Sequence, residues 1–357
     1  MAGNPALDPA RLDAFLQQGL ADVGGLITAA LVVIGDKLGL YRALAEGGPA
    51  TSHELAARTG TTERYVREWL VNQAASGYLT YDAASGRYTL PPEQAMALTD
   101  SDSPFFVAGA YQVALAMTRA TPRLVEAFRS GGGMTWGEHD PELFEGTERF
   151  FRPGYAAQLA TSWLPALEGV VAKLEAGARV ADVGCGHGAS TLIMAQAYPR
   201  SRFHGFDSHA PSIERARAAA TQAGVGDHAQ FEVATAQAFP GHDYALIAFF
   251  DSFHDMGDAA GAARHAYEAL APDGTVLLVE PMAGTTVEKN FNPIGRIYAG
   301  ASVLCCTPNA IATGDAASAL GTIATDEALR EVFAAAGFTR FRRACETPFN
   351  RIFEVRK

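Results

Sequence analysis

Apolar residues recur at helical spacing along residues 10–45, where Leu12, Phe15 and Leu16 share one face. The repeat predicts helices with more apolar surface than a small domain buries by itself. We therefore expect this face to pack against a second copy of the chain, as an intertwined homodimer.

Two helix starts and a hairpin follow these helices. Thr51-Ser-His-Glu54 has the capping-box pattern, and Thr61-Thr-Glu-Arg64 opens the next helix. Short apolar runs at 78–81 and 87–90 surround a turn and predict two antiparallel strands. Two helices joined by a tight turn and followed by a hairpin indicate a winged helix-turn-helix.

From residue 178 the pattern changes to short apolar strands that alternate with helices. This alternation predicts an α/β fold with a mostly parallel, doubly wound sheet. The expected strands are 179–183, 202–206, 228–233, 244–250 and 274–280, then 338–345 and 350–355 after a helix at 326–336.

The chain between these two patterns is less regular. Residues 93–170 predict helices interrupted by loops at 131–133 and 152–154, and residues 284–322 predict neither a helix nor a strand. We expect a mainly α winged-helix domain over 1–92, a helical linker or cap over 93–170 and the α/β domain over 171–357.

Composition narrows the class of protein. The net charge of −11 argues against a nucleic-acid partner, because phosphate binding needs a basic surface. The four cysteines lack the spacing of a zinc site or a disulfide framework, so we expect a reduced, cytoplasmic protein. The N-terminus has no basic start, and no stretch of about 18 uninterrupted apolar residues exists, so neither a signal peptide nor a membrane-spanning helix is expected.

A glycine-rich turn follows the first strand of the predicted sheet, with Gly184, Gly186 and Gly188 at alternate positions. Glycine lets the backbone approach a ligand where a Cβ atom would clash. The pattern also fits an ordinary strand-to-helix turn or several kinds of nucleotide-binding loop. Asp182, just before the turn, can orient the loop and meet a positively charged ligand group.

The next strand ends in an acid, Asp207, which can accept both ribose hydroxyls of a nucleoside. Dinucleotide dehydrogenases share this arrangement, but their loop has a different glycine spacing and no acid equivalent to Asp182. The turn also lacks a phosphate-binding lysine, which fits a ligand that brings no phosphate to it.

With these motifs in this order, residues 178–281 resemble a class I S-adenosylmethionine-dependent methyltransferase domain. The resemblance implies a Rossmann-like fold, S-adenosyl-L-methionine as cofactor and S-adenosyl-L-homocysteine as product. The cofactor-binding residues that it implies are Asp182, Gly184, Gly186, Gly188, Asp207, Ser208, Thr235, Ala236, Phe250, Asp251 and Tyr155. The family often has an acid after its third strand, where this chain has Thr235.

The segment after the fourth strand carries His254, Asp255 and Asp258. It resembles the His-Asp-x-x-Asp segment of plant-type small-molecule O-methyltransferases, in which the histidine is the base. By this resemblance His254 takes a proton from the acceptor, Glu280 orients its ring and Asp255 belongs to the catalytic set. A second supporting glutamate of that family has no counterpart near Ile323.

Two alternatives stay open for His254. In the first, it caps the following helix and helps to shape the pocket, and catalysis rests on proximity alone. In the second, it holds iron with Asp255 and a distant ligand, as in C-methyltransferases of 2-oxo acids that share this architecture. No partner histidine is evident near Cys306, and we expect no metal.

Aromatic residues cluster before the α/β domain, and most of them are expected in the core. Trp136 and Tyr155 are expected to wall the substrate or cofactor site. Cys306 is expected in the substrate pocket with His254, whereas Cys305 is expected to be a buried apolar residue.

The winged helix also allows a transcriptional regulator that senses a ligand through the methyltransferase fold. Its second helix balances Arg64 and Arg67 against Glu63 and Glu68, which is a poor electrostatic footprint for DNA. Over almost its whole length the chain resembles an actinobacterial subgroup whose members are labelled either methyltransferase or regulator. In many such methyltransferases this domain mediates dimerisation. We expect a homodimeric enzyme with a small-molecule acceptor, and neither DNA nor a membrane as partner; the acceptor atom (O, S, N or C) stays open.

Overall fold

The computed structural model describes residues 7–357. The residues before them, where the sequence predicts no signal peptide, lie outside the described range. The chain divides into two compact units, Met1–Leu115 and Ala116–Lys357. The boundary falls within the segment 93–170 that the sequence assigns to a linker or cap.

The N-terminal unit has the predicted helices and hairpin. Thr51 caps its helix with the reciprocal Glu54 contact of a capping box. The core packs the apolar sides of these helices around Trp69, whose ring lies 5.0 Å from that of Tyr41. The elements are α1 (Pro9–Lys37), α2 (Leu40–Gly47), α3 (Ser52–Thr59), α4 (Glu63–Ala75), β1 (Thr80–Asp82), β2 (Arg87–Thr89), α5 (Pro92–Thr99) and α6 (Ala108–Thr118).

One face of α1 is apolar and exposed in the single chain. The side chains of Phe15 and Leu20 are 72% and 67% exposed, whereas Val32 on the same helix is fully buried. By length and composition alone α1 could cross a membrane, which the sequence argument did not expect. The apolar residues of α1 are interrupted by Asp22, but the mean hydropathy of the helix remains high.

Helices lead from there into the α/β unit. They are α7 (Thr121–Ser130), α8 (Pro141–Gln158) and α9 (Val170–Ala176), with a π-helical turn at Leu159–Trp163. The loop predicted at 152–154 is wrong, because α8 continues through Pro153. A proline removes one helical hydrogen bond, but the buried ring of Pro153 contributes to packing, and the helix is kept.

The seven-stranded sheet has the order β5-β4-β3-β6-β7-β9-β8. Its first five members are parallel, and β9 pairs antiparallel with β7 and β8. This confirms the predicted α/β fold. The strands are β3 (Arg179–Val183), β4 (Arg202–Asp207), β5 (Ala229–Val233), β6 (Tyr244–Phe250), β7 (Leu270–Pro281), β8 (Arg340–Glu346) and β9 (Asn350–Arg356).

Helices cover both faces of the sheet, and each face has its own apolar core. The chain order reverses between β3 and β6, so a crevice opens at their carboxyl ends. The helices are α10 (Ala189–Ala197), α11 (Ala210–Gln222), α12 (Ala259–Ala269), α13 (Pro293–Ala301), α14 (Thr307–Thr313) and α15 (Asp326–Ala335).

The prediction of neither helix nor strand over 284–322 is wrong for much of that segment. It forms α13, a π-helical turn at Ser302–Cys306 and α14. Asn292 caps α13, and a proline follows at the first position of the helix. These start signals are present in the sequence, but the short apolar repeat between them did not reveal a helix.

A buried arginine ties the end of the chain to the sheet. Arg351 on β9 is fully buried, donates from Nε to the carbonyl of Pro281 and pairs with Asp326 at 2.7 Å. Asp326 lies in the first turn of α15 and also accepts from Arg343 on β8. One carboxylate therefore joins a helix to two strands.

Replacing Asp326 with alanine should lower the free energy of unfolding by about 3 kcal/mol, because a buried guanidinium loses its counter-charge. Chemical denaturation measures this loss. The matched control is Glu327→Ala in the same turn, whose pair with Arg330 is exposed and should contribute less than about 1 kcal/mol. Equal losses for both variants would contradict the assigned role of Arg351.

Candidate active site

The glycine-rich turn joins β3 to α10 in a conformation that side chains disfavour. Gly184, Gly186 and Gly188 all have positive φ, at 76°, 52° and 84°. A Cβ atom on Gly184 would lie 2.6 Å from the Cβ of Ser252, which follows β6. Glycine at 184 thus lets the turn pack directly against the end of the central strand.

Asp182 stands behind this turn and is completely buried. Its Oδ2 accepts hydrogen bonds of 2.6 Å from the hydroxyls of Ser190 and Thr191 at the start of α10. Its Oδ1 has no hydrogen-bond partner among the described residues. Burial raises the pKa of Asp182 to about 6, against the lowering effect of both hydroxyls. Asp182 thus ties β3 to the start of α10.

Asp207 ends β4 beside the turn. Its carboxylate accepts from the backbone N–H of Gly186 at 2.9 Å and from that of His209 at 2.8 Å. Burial raises the pKa of Asp207, and these two N–H groups oppose the rise. The carboxylate is held by backbone donors and still lines the neighbouring cavity.

A cavity of about 510 Å³ opens at the carboxyl ends of β3, β4 and β6. It collects most of the residues that the sequence assigned to the cofactor, together with the predicted wall residue Trp136 and with Asp255. The predicted residues in its lining are Gly184, Gly186, Asp207, Ser208, Thr235, Ala236, Phe250, Asp251, Tyr155, Trp136 and Asp255. Asp182 and Gly188 are not among the lining residues: Asp182 is completely buried, and Gly188 is the last residue of the turn.

One face of α8 forms a wall that sequence reasoning did not find. Phe144, Glu148, Phe151 and Arg152 line the cavity with Tyr155. Their spacing of three and four residues is that of a single helix face. That spacing was visible in the sequence, but the loop wrongly expected at 152–154 concealed it.

The same wall is fastened to the glycine-rich turn. The Oε2 atom of Glu148 lies 2.8 Å from Nδ1 of His187 and 3.4 Å from Nε of Arg215. His187 belongs to the turn and lines the cavity. Farther along, the ring of Phe144 stacks on His209 at 4.4 Å, and that of Trp136 meets Phe144 edge-on.

His254 and Glu280 form a buried pair. The Nδ1 atom of His254 lies 2.9 Å from Oε2 of Glu280, and the two side chains are 3% and 0% exposed. Burial lowers the pKa of His254, but the charge of Glu280 and the thiol of Cys306 outweigh it, so the pKa is raised. The pair fixes the imidazole at the end of β7.

Neither His254 nor Cys306 is among the residues that line the 510 Å³ cavity of the single chain. Both are buried, and Cys306 interacts with the imidazole. The cap of α12 is Asp258, whose carboxylate accepts from the N–H of Gly261 at 2.7 Å, so the alternative that His254 caps this helix is wrong. Cys305 is buried, as expected of an apolar residue.

Asp251 and Asp255 complete an acidic cluster around His254. Burial raises the pKa of each to about 7, with Glu280 adding to the rise and His254 opposing it. Asp251 accepts from the hydroxyl of Tyr155 and from the amide of Asn350. Asn350 was not predicted, because it comes from the last strand of the chain, far from every motif.

Within the described chain, no group of three or more His, Cys, Asp or Glu side chains is arranged to hold a metal ion.

Comparison with known proteins identifies both parts of the chain. A methyltransferase-domain family model matches residues 155–340, which is more than half of the chain. This chain belongs to the methyltransferase-domain family. A second family model, for the Rv2258c-like winged helix-turn-helix domain, matches residues 27–100. The resemblance drawn from the sequence is confirmed for both domains.

Among curated relatives, the trans-aconitate 2-methyltransferase of Streptomyces coelicolor is 32% identical over 104 residues, which are 29% of this chain and 34% of that protein. The chain therefore matches only about a third of the length of that relative.

Solved structures agree over nearly the whole chain. The mitomycin 7-O-methyltransferase MmcR has a TM-score of 0.72 at 20% identity and covers 98% of this chain and 100% of its own. Human N-acetylserotonin methyltransferase, solved in complex with S-adenosylmethionine, has a TM-score of 0.70 at 18% identity and covers 99% of both chains. At this identity the likeness concerns the fold.

Proposed function

We propose that this methyltransferase-family protein binds S-adenosyl-L-methionine in the 510 Å³ cavity and transfers its methyl group to a small molecule. The observation that carries the proposal is the position of Asp207. Its carboxylate, fixed by two backbone N–H groups beside a glycine-rich turn, suits the two hydroxyls of a ribose.

The other residues of the cavity fit the remaining parts of this cofactor. Thr235, Ala236 and Phe250 offer a partly apolar wall for the adenine. Asp182 lies outside the lining, and its part in the proposal is to join β3 to the start of α10 behind the turn. Arg152 lines the same cavity and suits the cofactor carboxylate.

The cofactor supplies an electrophilic methyl group on a positively charged sulfur. His254 then has the part of the base: with Nδ1 held by Glu280, Nε2 is the nitrogen that takes the proton of the acceptor. Glu280 stabilises the imidazolium that forms and raises the pKa of His254, so the step needs the neutral ring, which higher pH favours. We infer that acceptor entry opens a path to His254, which is buried in the single chain.

A ligand-sensing regulator is the second candidate, since the N-terminal domain matches a winged helix-turn-helix. On its second helix Arg64 pairs with Glu68, and Arg67 pairs with Glu63 at 2.9 Å. These pairs neutralise the basic groups that a DNA-reading helix would offer to phosphates. The charge balance therefore favours the enzyme.

We further infer that the exposed apolar face of α1 packs against a second copy of the chain. Burial of such a face stabilises association by about 25 cal/mol per Å² of apolar area. The small-molecule acceptor and a cytoplasmic location complete the proposal.

Removing the carboxylate of Asp207 should weaken binding of S-adenosylhomocysteine roughly 100-fold, because two hydrogen bonds to a charged group are lost. Isothermal titration calorimetry with the Asp207→Ala variant measures this change. Asp227→Ala, an exposed acid before β5, is the matched control and should bind as the unmodified chain does. An unchanged affinity for Asp207→Ala would refute the cofactor site.

Replacing Glu280 with glutamine should lower the pKa of His254, because burial then acts without the opposing negative charge. The sign follows from the pair: Glu280 favours the protonated ring, and its loss favours the neutral ring. Histidine side-chain NMR across pH measures the change, with Glu268→Gln as an exposed control of equal charge. If the titration of His254 did not move, Glu280 would not be its orienting partner.

Placing two charges on the apolar face of α1, by Leu16→Glu with Leu20→Glu, should convert a dimer into a monomer. Size-exclusion chromatography with light scattering gives the mass. Gln17→Glu with Ala21→Glu adds the same charge to the opposite side of the helix and should leave the dimer intact. A monomeric unmodified chain that sediments with lipid vesicles would instead assign α1 to a membrane.

A further inference from the structure

Asp251 has a backbone conformation that needs explaining. It follows β6 with a φ of 49°, in the left-handed region, and it is not a glycine. Such a residue costs on the order of 1 kcal/mol and persists only where the surrounding structure imposes it. Here the conformation brings the carboxylate into the lining of the cavity, next to Gly184 and Phe250.

Two donors from different elements hold that carboxylate. The hydroxyl of Tyr155 on α8 donates to Oδ2 at 3.0 Å, and the amide of Asn350 at the start of β9 donates to Oδ1 at 2.7 Å. Both contacts favour the ionised form of Asp251. Tyr155 stays a donor, because burial and the charge of Asp251 raise its pKa well above the usual value.

The charge of Asp251 is nevertheless poorly compensated. Burial raises its pKa to about 7, the neighbouring Glu280 adds to the rise, and His254 opposes it. The phenol of Tyr298 on α13 also faces it and is kept protonated by burial and by Asp251. A cation that reached the cavity beside Asp251 would therefore be bound by a carboxylate short of positive partners.

The methyl donor and its product differ by one methyl group and one charge. Methyl transfer leaves the bonding electron pair on sulfur, so the sulfonium cation becomes a neutral thioether. Residues that contact the adenine, ribose or carboxylate meet the same groups in both molecules. Only a group that contacts the methyl group or responds to the charge on sulfur can tell them apart, and a carboxylate responds to the charge.

We propose that Asp251, held by Tyr155 and Asn350, is the charge that distinguishes S-adenosylmethionine from S-adenosylhomocysteine and so favours exchange of product for fresh donor. This inference rests on the proposed function. Asp207 has no such part, because the ribose is common to both molecules.

The test compares the affinities of S-adenosylmethionine and S-adenosylhomocysteine by calorimetry, without any acceptor. In Asp251→Asn the preference for the sulfonium should fall about tenfold, while the affinity for the neutral product stays near that of the unmodified chain. The matched control is Asp207→Asn, which should weaken both ligands alike and leave their ratio unchanged. Binding of the product also reports that each variant is folded.

Two further measurements of the affinity ratio do not depend on replacing Asp251. Asn350→Ala and Tyr155→Phe each remove one donor, raise the pKa of Asp251 and should lower the ratio at neutral pH in the same direction. In the unmodified chain the ratio should fall as the pH drops from about 8.5 to about 5.5, because the pKa of Asp251 is raised to about 7. Asp255 lines the same cavity with a pKa raised to about 7, so only its share of the fall should remain in Asp251→Asn.

The outcomes separate the two proposals. If the unmodified chain bound neither molecule, the proposed function itself would fail. If it bound both, and Asp251→Asn kept the ratio of the unmodified chain, the part assigned to Asp251 would be overturned. Should that variant not fold, a ratio that stayed constant across the pH range in the unmodified chain would overturn it equally.

Discussion

The α/β unit is organised around four acids at the carboxyl edge of the sheet, two of them fully buried and two lining the cavity. Asp182, Asp207, Asp251 and Glu280 stand at or just after the carboxyl ends of β3, β4, β6 and β7. A buried carboxylate is costly unless donors or cations compensate it. Protein groups around the cavity make hydrogen bonds to each of these acids.

The donors explain why distant parts of the chain meet here. The start of α10 supplies hydroxyls to Asp182, and the glycine-rich turn supplies a backbone N–H to Asp207. The wall helix α8 and the last strand β9 supply Tyr155 and Asn350 to Asp251. These donors do not fully compensate the negative charge of the carboxylates, and the remaining charge suits a cofactor that carries a positive charge. Electrostatics and fold thus point to the same ligand.

Much of this could be read from the chain itself. Strands β3 and β6 were predicted to the residue, because β6 is an unbroken apolar run followed by Asp251 and β3 is a short, mainly apolar run followed by Gly184. The reversal of strand order then places both ends at one crevice. The roles of the individual site residues stay predictions, and the experiments above address them. The loop expected at 152–154 failed, since packing around Pro153 overrides the preference of proline to end a helix.

Sequence by itself determined the fold class, the presence of a winged-helix and a methyltransferase domain, and the acids at the strand ends, because these depend on local periodicity and on topology. Only the tertiary structure decided which donors each acid receives. Asn350 carries no signal in the sequence, and its importance comes from an antiparallel strand that lays it against Asp251. No local pattern in the sequence indicates that His254 is buried and outside the cavity lining, because its burial depends on the helical segments that pack over it.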